Sequence, residues 1–116
     1  MNQPLQITFR GMEPSEAVSE YIREHTAKLE RYFDQIISCH VVVELPHKHK
    51  SQGNHFHVRV ELGVPKQHIV VTRAPDENSD LENAYATLSD AFDAAARKLK
   101  DYVRKMHGDV KHHAVA

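Results

Sequence analysis

Basic residues gather near the C-terminal end of the chain, where a phosphate-binding surface could form. They are Arg97, Lys98, Lys100, Arg104 and Lys105. At 100° per residue of an α-helix, Arg97, Lys100 and Arg104 fall within about 60° of one another, and the other two bases flank them. Such a ridge suits a nucleic-acid backbone, because each phosphate that it neutralises releases condensed counterions.

A helix dipole offers a second explanation for the same charges. Acids near the start of a helix and bases near its end are what the dipole favours in any protein. The segment 76–93 holds six acids and no Lys or Arg, directly before the basic ridge. The first predicted helix also carries bases near its end, at Lys28 and Arg31. The charges alone therefore leave open a nucleic-acid-binding surface and a solvated helix face.

Four of the ten histidines form two closely spaced pairs, which raises the question of a metal site. The pairs are His47-x-His49 and His55-x-His57. Zinc accepts imidazole ligands, but its common motifs add CxxC or HExxH, and neither is present. The loop between the pairs also lacks an acid. We expect exposed histidines and predict no metal and no other cofactor.

Nothing in the sequence forms a recognisable catalytic motif. Cys39 falls on the apolar face of a predicted strand, which favours a small core residue over a nucleophile. Glycine-rich phosphate loops and the GxSxG pattern are absent. The larger aromatic residues are expected in the core rather than as platforms for stacked bases: Tyr32, Phe33, Tyr85, Phe92 and Tyr102. We predict neither an enzyme nor a small-molecule substrate.

Length and composition indicate one domain in a reducing compartment. The chain has 116 residues, of which 41% are hydrophobic and 27% charged, as in an ordinary globular domain. No apolar run reaches the roughly 18 residues of a membrane span, and residues 1–10 lack the pattern of an export signal. A single cysteine suits the cytoplasm. The net charge of −1 conceals the segregation of acids from bases.

Hydrophobic periodicity predicts four strands and two helices. Alternation of apolar and polar residues predicts strands over 5–10, 38–45 and 55–62, and β-branched residues predict a fourth over 68–73. The first helix is predicted to take Pro14 as an early residue and to end near Asp34. An apolar stripe from Leu81 to Met106 predicts the last helix, with Ser79 or Asp80 as its N-cap and Gly108 as its stop. We therefore predict a domain over 1–106 and a flexible tail over 107–116.

The order of these elements predicts an α+β fold. A strand–helix–strand start favours a right-handed crossover and a parallel pair, and three strands in succession favour an antiparallel meander. Both helices should cover one face of a four-stranded mixed sheet, since each strand has one apolar face. The other face should stay exposed to solvent, and it carries Thr8, Arg10, His40, Glu44, His57, Arg59 and Glu61.

Several local strings resemble one family. The run from Lys28 to Asp34 resembles the KLERYFD signature that closes the first helix of ribosome hibernation promoting factors and ribosome-associated translation inhibitors, formerly called sigma-54 modulation proteins. Three other segments resemble the same family. They are the opening Leu5–Gly11, the strand at His40–Val43, and the helix string that begins at Asp90 and continues through Arg97–Lys100. The resemblance covers about residues 4–106.

The resemblance implies a β-α-β-β-β-α fold similar to a double-stranded-RNA-binding domain with an added strand. It implies docking on the small ribosomal subunit, in the channel used by mRNA and by the A-site and P-site tRNAs, during stationary phase or stress. The protein would then act in the cytoplasm by occupancy, with no bond made or broken. The motif positions that would contact ribosomal RNA are Lys28, Arg31, Arg97, Lys98, Lys100, Arg104 and Lys105.

Two further expectations follow from the resemblance. The length is that of the family's short forms, some of which promote ribosome dimers with a second small protein and some of which hold single ribosomes inactive. The family's older label implies an alternative function. On that alternative, the chain is a protein-interaction module that modulates a sigma-54-type transcription factor through its exposed sheet face.

Overall fold

Alternating apolar side chains build the sheet, and two amphipathic helices cover it. The computed structural model describes residues 1–45, 56–74 and 84–115, with the side chains of the last helix described as far as Gly108. Its elements are β1 Gln6–Arg10, α1 Glu16–Tyr32, β2 Ser38–Glu44, β3 His57–Val64, β4 Gln67–Arg73 and α2 Ala84–Val115. This order confirms the predicted β-α-β-β-β-α architecture.

The strands lie side by side in the order of the chain, β1-β2-β3-β4. β1 and β2 are parallel, with Ile7 opposite Val41, because α1 carries the chain back between them. β2, β3 and β4 form an antiparallel meander, in which Val41 is opposite Val60, and Val60 is opposite Val71. The predicted mixed sheet is therefore confirmed.

One face of the sheet and the inner faces of both helices form the core. Every second residue is buried along β2 and along the first six residues of β3, so that Val41, Val43 and Val60 are fully enclosed. Ile22 of α1 and Leu99 of α2 close over them and are 0% exposed. Burying each such side chain stabilises the fold by about 1.5–3 kcal/mol. The packing fixes both helices on the same face of the sheet, as predicted.

Ser15, and not a residue before Pro14, caps the start of α1. The Ser15 Oγ accepts a hydrogen bond from the backbone N–H of Val18 at 3.2 Å. The serine hydroxyl satisfies one of the free N–H groups of the first turn, so the helix begins at Glu16. The prediction that Pro14 is helical is therefore wrong. Pro14 lies one residue before the cap.

α2 continues past Gly108 to Val115, and the predicted stop at Gly108 is wrong. A glycine within a helix costs only about 1 kcal/mol relative to alanine, so glycine permits a helix end without enforcing one. The proposed caps Ser79 and Asp80 lie outside the described residues. The flexibility of residues 107–116 and the domain boundary before them stay predictions. In the described part of the chain, no helix is long and apolar enough to cross a membrane.

Candidate nucleic-acid interface

The C-terminal end of α1 lies beside the C-terminal half of α2. Phe33 follows directly after α1, is buried, and meets the Tyr102 ring edge-on at a centroid distance of 5.8 Å. The Lys100 Nζ lies 5.8 Å from the centroid of the Tyr32 ring. These contacts bring the bases at the end of α1 close to those of α2, which the spacing within either helix alone does not predict.

All of the predicted RNA-contact residues have exposed side chains: Lys28, Arg31, Arg97, Lys98, Lys100, Arg104 and Lys105. Within the part of the chain that the structure describes, Arg104 is the one member of this set that forms an ion pair, with Asp101. An exposed ion pair is worth at most about 1 kcal/mol, so it opens readily for a stronger anion. The set therefore offers its positive charge to solvent. Its contact with RNA stays a prediction.

Four of the bases of α2 line two separate grooves. Lys100 and Arg104 lie beside Tyr32 along what we call the helix-end groove, of about 720 Å³. Its lining is Tyr32, Lys100, Val103, Arg104, His107 and Gly108. Lys98 and Lys105 lie along a second groove, of about 710 Å³, beside the turn between β3 and β4 and β4 itself. The helical twist turns Lys98 and Lys105 about 80–100° away from Arg97, which explains the division.

Lys98 also has a partner in the sheet. Its Nζ donates a hydrogen bond to the carbonyl oxygen of Val70, at 3.2 Å. Val70 lies in β4, which is an edge strand. Part of the donor capacity of Lys98 is therefore used within the fold, whereas Lys100 has the Tyr32 ring as its described partner.

Two of the five aromatic residues expected in the core are exposed. Tyr32 is 49% exposed and Tyr85 is 42% exposed, so the prediction is wrong for both. Phe33 and Phe92 are buried as predicted. Tyr102 is half-buried, and its hydroxyl donates to the carbonyl oxygen of Pro65 at 2.8 Å. Tyr32 and Phe33 are adjacent at the end of α1 and cannot both face the core. Phe33 is the one that packs into it.

The solvent-exposed face of the sheet has mixed charge and internal pairing. The Thr8 Oγ1 and His40 Nε2 lie 2.9 Å apart, and Arg59 donates to the Glu61 carboxylate at 3.0 Å. Arg10 and His57 are exposed at the ends of their strands. The predicted exposure of this face is confirmed. A face with acids and bases side by side does not favour a polyanion, in contrast to the helix ends.

The histidine pairs give no described metal site. His57 is exposed at the start of β3, while His47, His49 and His55 lie outside the described residues. Among the residues with a described position, no group of three or more His, Cys, Asp or Glu side chains is placed to hold a metal ion. The metal hypothesis at the loop pair therefore stays a hypothesis.

Cys39 is a core residue. Its side chain is 2% exposed, and its Sγ lies 3.9 Å from the Thr26 Oγ1 on α1. Burial raises the pKa of the Cys39 thiol to about 11, against a smaller lowering effect of the Thr26 hydrogen bond. Because the thiolate is the reactive form, this thiol is a poor nucleophile at neutral pH.

Solved structures with this fold include proteins from two bacteria. A ribosomal subunit interface protein from Coxiella burnetii superposes with a TM-score of 0.68 at 16% identity, covering 86% of this chain and 97% of the other. The N-terminal domain of Protein Y from Thermus thermophilus superposes with a TM-score of 0.65 at 23% identity, covering 88% and 99%. At these identities the similarity establishes the fold.

Sequence comparison extends the likeness to a family. A ribosome hibernation promotion factor from Deinococcus radiodurans is 30% identical over 98 residues, which are 84% of this chain and 49% of that protein. The chain thus spans about half the length of this curated relative. Residues 5–107 match the family described as sigma 54 modulation protein / S30EA ribosomal protein. That match covers nearly all of the sheet and both helices, and the chain belongs to this family.

Proposed function

We propose that the protein binds the small ribosomal subunit and inhibits translation by occupying the channel of mRNA and of the A-site and P-site tRNAs. One observation carries the proposal. The C-terminal end of α1 lies beside the C-terminal half of α2, and together they expose seven bases, of which Arg104 is the one that pairs with a carboxylate within the described part of the chain. Ribosomal RNA offers the dense phosphate array that such a surface neutralises.

The chemistry of the described residues suits occupancy better than catalysis. Cys39 is buried and protonated at neutral pH, and the exposed bases are held by a close-packed domain. A rigid domain with a set of exposed cations on two adjoining helices binds in a defined orientation, because the phosphate contacts set register and direction. A bound domain of this kind excludes other molecules by its volume alone.

The relatives support the ribosome as the partner. One is named a ribosome hibernation promotion factor and another a ribosomal subunit interface protein. We propose stationary phase or stress as the time of action, and the cytoplasm as the place, since ribosomes are found there. A related question is whether ribosomes pair with the help of a second small protein. A gradient profile of ribosomes answers it, because paired ribosomes sediment faster than single ones.

Competition with mRNA and tRNA tests the proposed position. If the binding sites overlap, small subunits held with mRNA and tRNA at tenfold above their dissociation constants should raise the apparent Kd of the protein about tenfold. The measurement is a titration of fluorescently labelled protein with empty and preloaded subunits. Large subunits provide the control. An unchanged Kd on preloaded small subunits would show that the protein binds elsewhere.

The exposed sheet face supports a second candidate function, the modulation of a sigma-54-type transcription factor. The face is open over all four strands and presents Arg10, Arg59 and Glu61 with both signs of charge, as protein-binding surfaces commonly do. On this candidate, the complex with the transcription factor should survive charge reversal at Lys100 and Arg104. It should be lost on charge reversal at Arg10 and Arg59. The ribosome proposal requires the opposite pattern.

A further inference from the structure

Tyr32 is a large aromatic residue that the fold leaves half in solvent. It is the last residue of α1, and Phe33 directly after it takes the place in the core against Tyr102. The Tyr32 ring is consequently 49% exposed. A ring that is half exposed gains only part of the stabilisation that full burial would give.

The surroundings of Tyr32 are those of a site for a base with its phosphate. Lys100 lies over the ring, with its Nζ 5.8 Å from the centroid, and Arg104 follows one helical turn later on the same side of α2. Another turn on, Gly108 contributes no side chain to the groove, and outside its own stretch of helix no described atom lies within 4 Å of where its Cβ would be. The groove thus combines an aromatic face, two cations and free space.

We propose that the helix-end groove binds one unpaired base of a single-stranded RNA segment, with the base stacked on Tyr32 and its adjoining phosphate held by Lys100 and Arg104. The inference rests on the proposed ribosome function and specifies its ligand. Every base has a face that stacks on an aromatic ring, and such a stack strengthens binding by roughly 5- to 150-fold. The flexible Lys100 side chain exchanges the ring for the phosphate as the base arrives.

Tyr85 provides a contrast within the same helix. It is 42% exposed, but its ring lies 5.1 Å from the Tyr21 ring, and residues 84–96 include no Lys or Arg. On the neighbouring turns of its own helix, Tyr85 therefore has no cation that could anchor the phosphate of a stacked base. The proposal therefore assigns base binding to Tyr32 and none to Tyr85, which makes Tyr85 the matched control.

The first test separates stacking from charge by its dependence on salt. We expect Tyr32→Leu to bind small subunits about 10-fold more weakly at every salt concentration, with an unchanged slope of log K against log salt, because no phosphate contact is lost. Lys100→Ala should reduce that slope by about 1. Tyr32→Phe keeps the ring and should bind within about 2-fold of the natural chain, as should Tyr85→Leu. Thermal unfolding confirms that each variant is folded.

The second test observes the stack directly. The chain has no tryptophan, so Tyr32→Trp introduces a single fluorophore at the proposed site. A single-stranded RNA of eight nucleotides should quench its emission, whereas the same sequence in a duplex should quench it far less, because paired bases present no free face. Tyr85→Trp should be quenched by neither.

The outcomes distinguish this inference from the function on which it rests. If the natural chain fails to bind small subunits but single-stranded RNA still quenches Tyr32→Trp, the ribosome proposal is wrong and the base site stands. If the chain binds subunits while Tyr32→Leu binds as tightly as Tyr32→Phe, the base site is wrong. Equal quenching by duplex and single strand also contradicts it.

Discussion

The double variant Lys100→Glu/Arg104→Glu is expected to bind small ribosomal subunits on the order of 100-fold more weakly than the natural chain at about 0.1 M salt. Both side chains are exposed and line the helix-end groove. Each contributes one phosphate contact on the proposed mode of binding, and a carboxylate in its place repels the same phosphate. The slope of log K against log salt should therefore become shallower by at least about 2.

A control with the same change in net charge makes this result specific. Arg10→Glu/Arg59→Glu reverses two bases on the solvent-exposed face of the sheet, where acids and bases are interspersed. We expect this variant to keep its affinity within about 3-fold, because screening at 0.1 M salt limits long-range attraction to about 10 Å. The comparison is a titration of labelled protein with subunits. Equal losses in the two variants would contradict a site at the helix ends.

Leu99→Ala is expected to lower the free energy of unfolding by about 3 kcal/mol. Leu99 is 0% exposed and lies on the inner side of α2, between the exposed bases Lys98 and Lys100. Its removal leaves a cavity in the core that the surrounding strands and helices fill only in part. A loss of this size is a large part of the roughly 5–15 kcal/mol by which such domains are stable.

Urea unfolding followed by circular dichroism measures this difference. Leu45→Ala makes the same chemical change at a half-buried position and should cost about 1 kcal/mol. At a temperature where Leu99→Ala remains folded, it should still bind subunits, since every exposed base is retained. An equal loss in the free energy of unfolding at the two positions would contradict the core as described. If folded Leu99→Ala no longer bound subunits, Leu99 would act in binding as well as in stability.

The sheet could be predicted from the sequence because its signal is local and repeated. Val41 and Val43 alternate with His40 and Glu44, and this pattern specifies both the strand and the face that it buries. The strand–helix–strand start then determines the parallel pair, as handedness leaves one arrangement. The burial pattern of β2 follows the predicted alternation residue by residue.

The sequence predicts helix ends less well than strands, because single residues compete there. Pro14 suits the first turn of a helix, but the adjacent Ser15 supplies a capping hydroxyl, and the cap determines the start. Gly108 suits a helix end, yet nothing in residues 109–115 breaks the helix, and the penalty for a glycine within it is small. A local preference of about 1 kcal/mol does not determine an end by itself.

The candidate site combines what one helix predicts with what only packing reveals. The exposure of Lys100 and Arg104 follows from the apolar stripe on the other side of α2. The approach of Lys100 to Tyr32 depends on how α1 and α2 pack, and the residue spacing within either helix does not predict it. The exposure of Tyr32 had one signal in the sequence: Phe33, its neighbour, has no hydroxyl and is the better core residue.

Sedimentation of the unmodified protein with purified ribosomal subunits tests the central claim most directly. At about 50 mM salt the protein should comigrate with the small subunit and remain absent from the large one, and about 0.5 M salt should release it, because counterion release drives the binding. The exposed bases at the end of α1 and in the C-terminal half of α2 predict this pattern. A protein that stays at the top of the gradient at low salt, or that migrates with the large subunit alone, would contradict the claim.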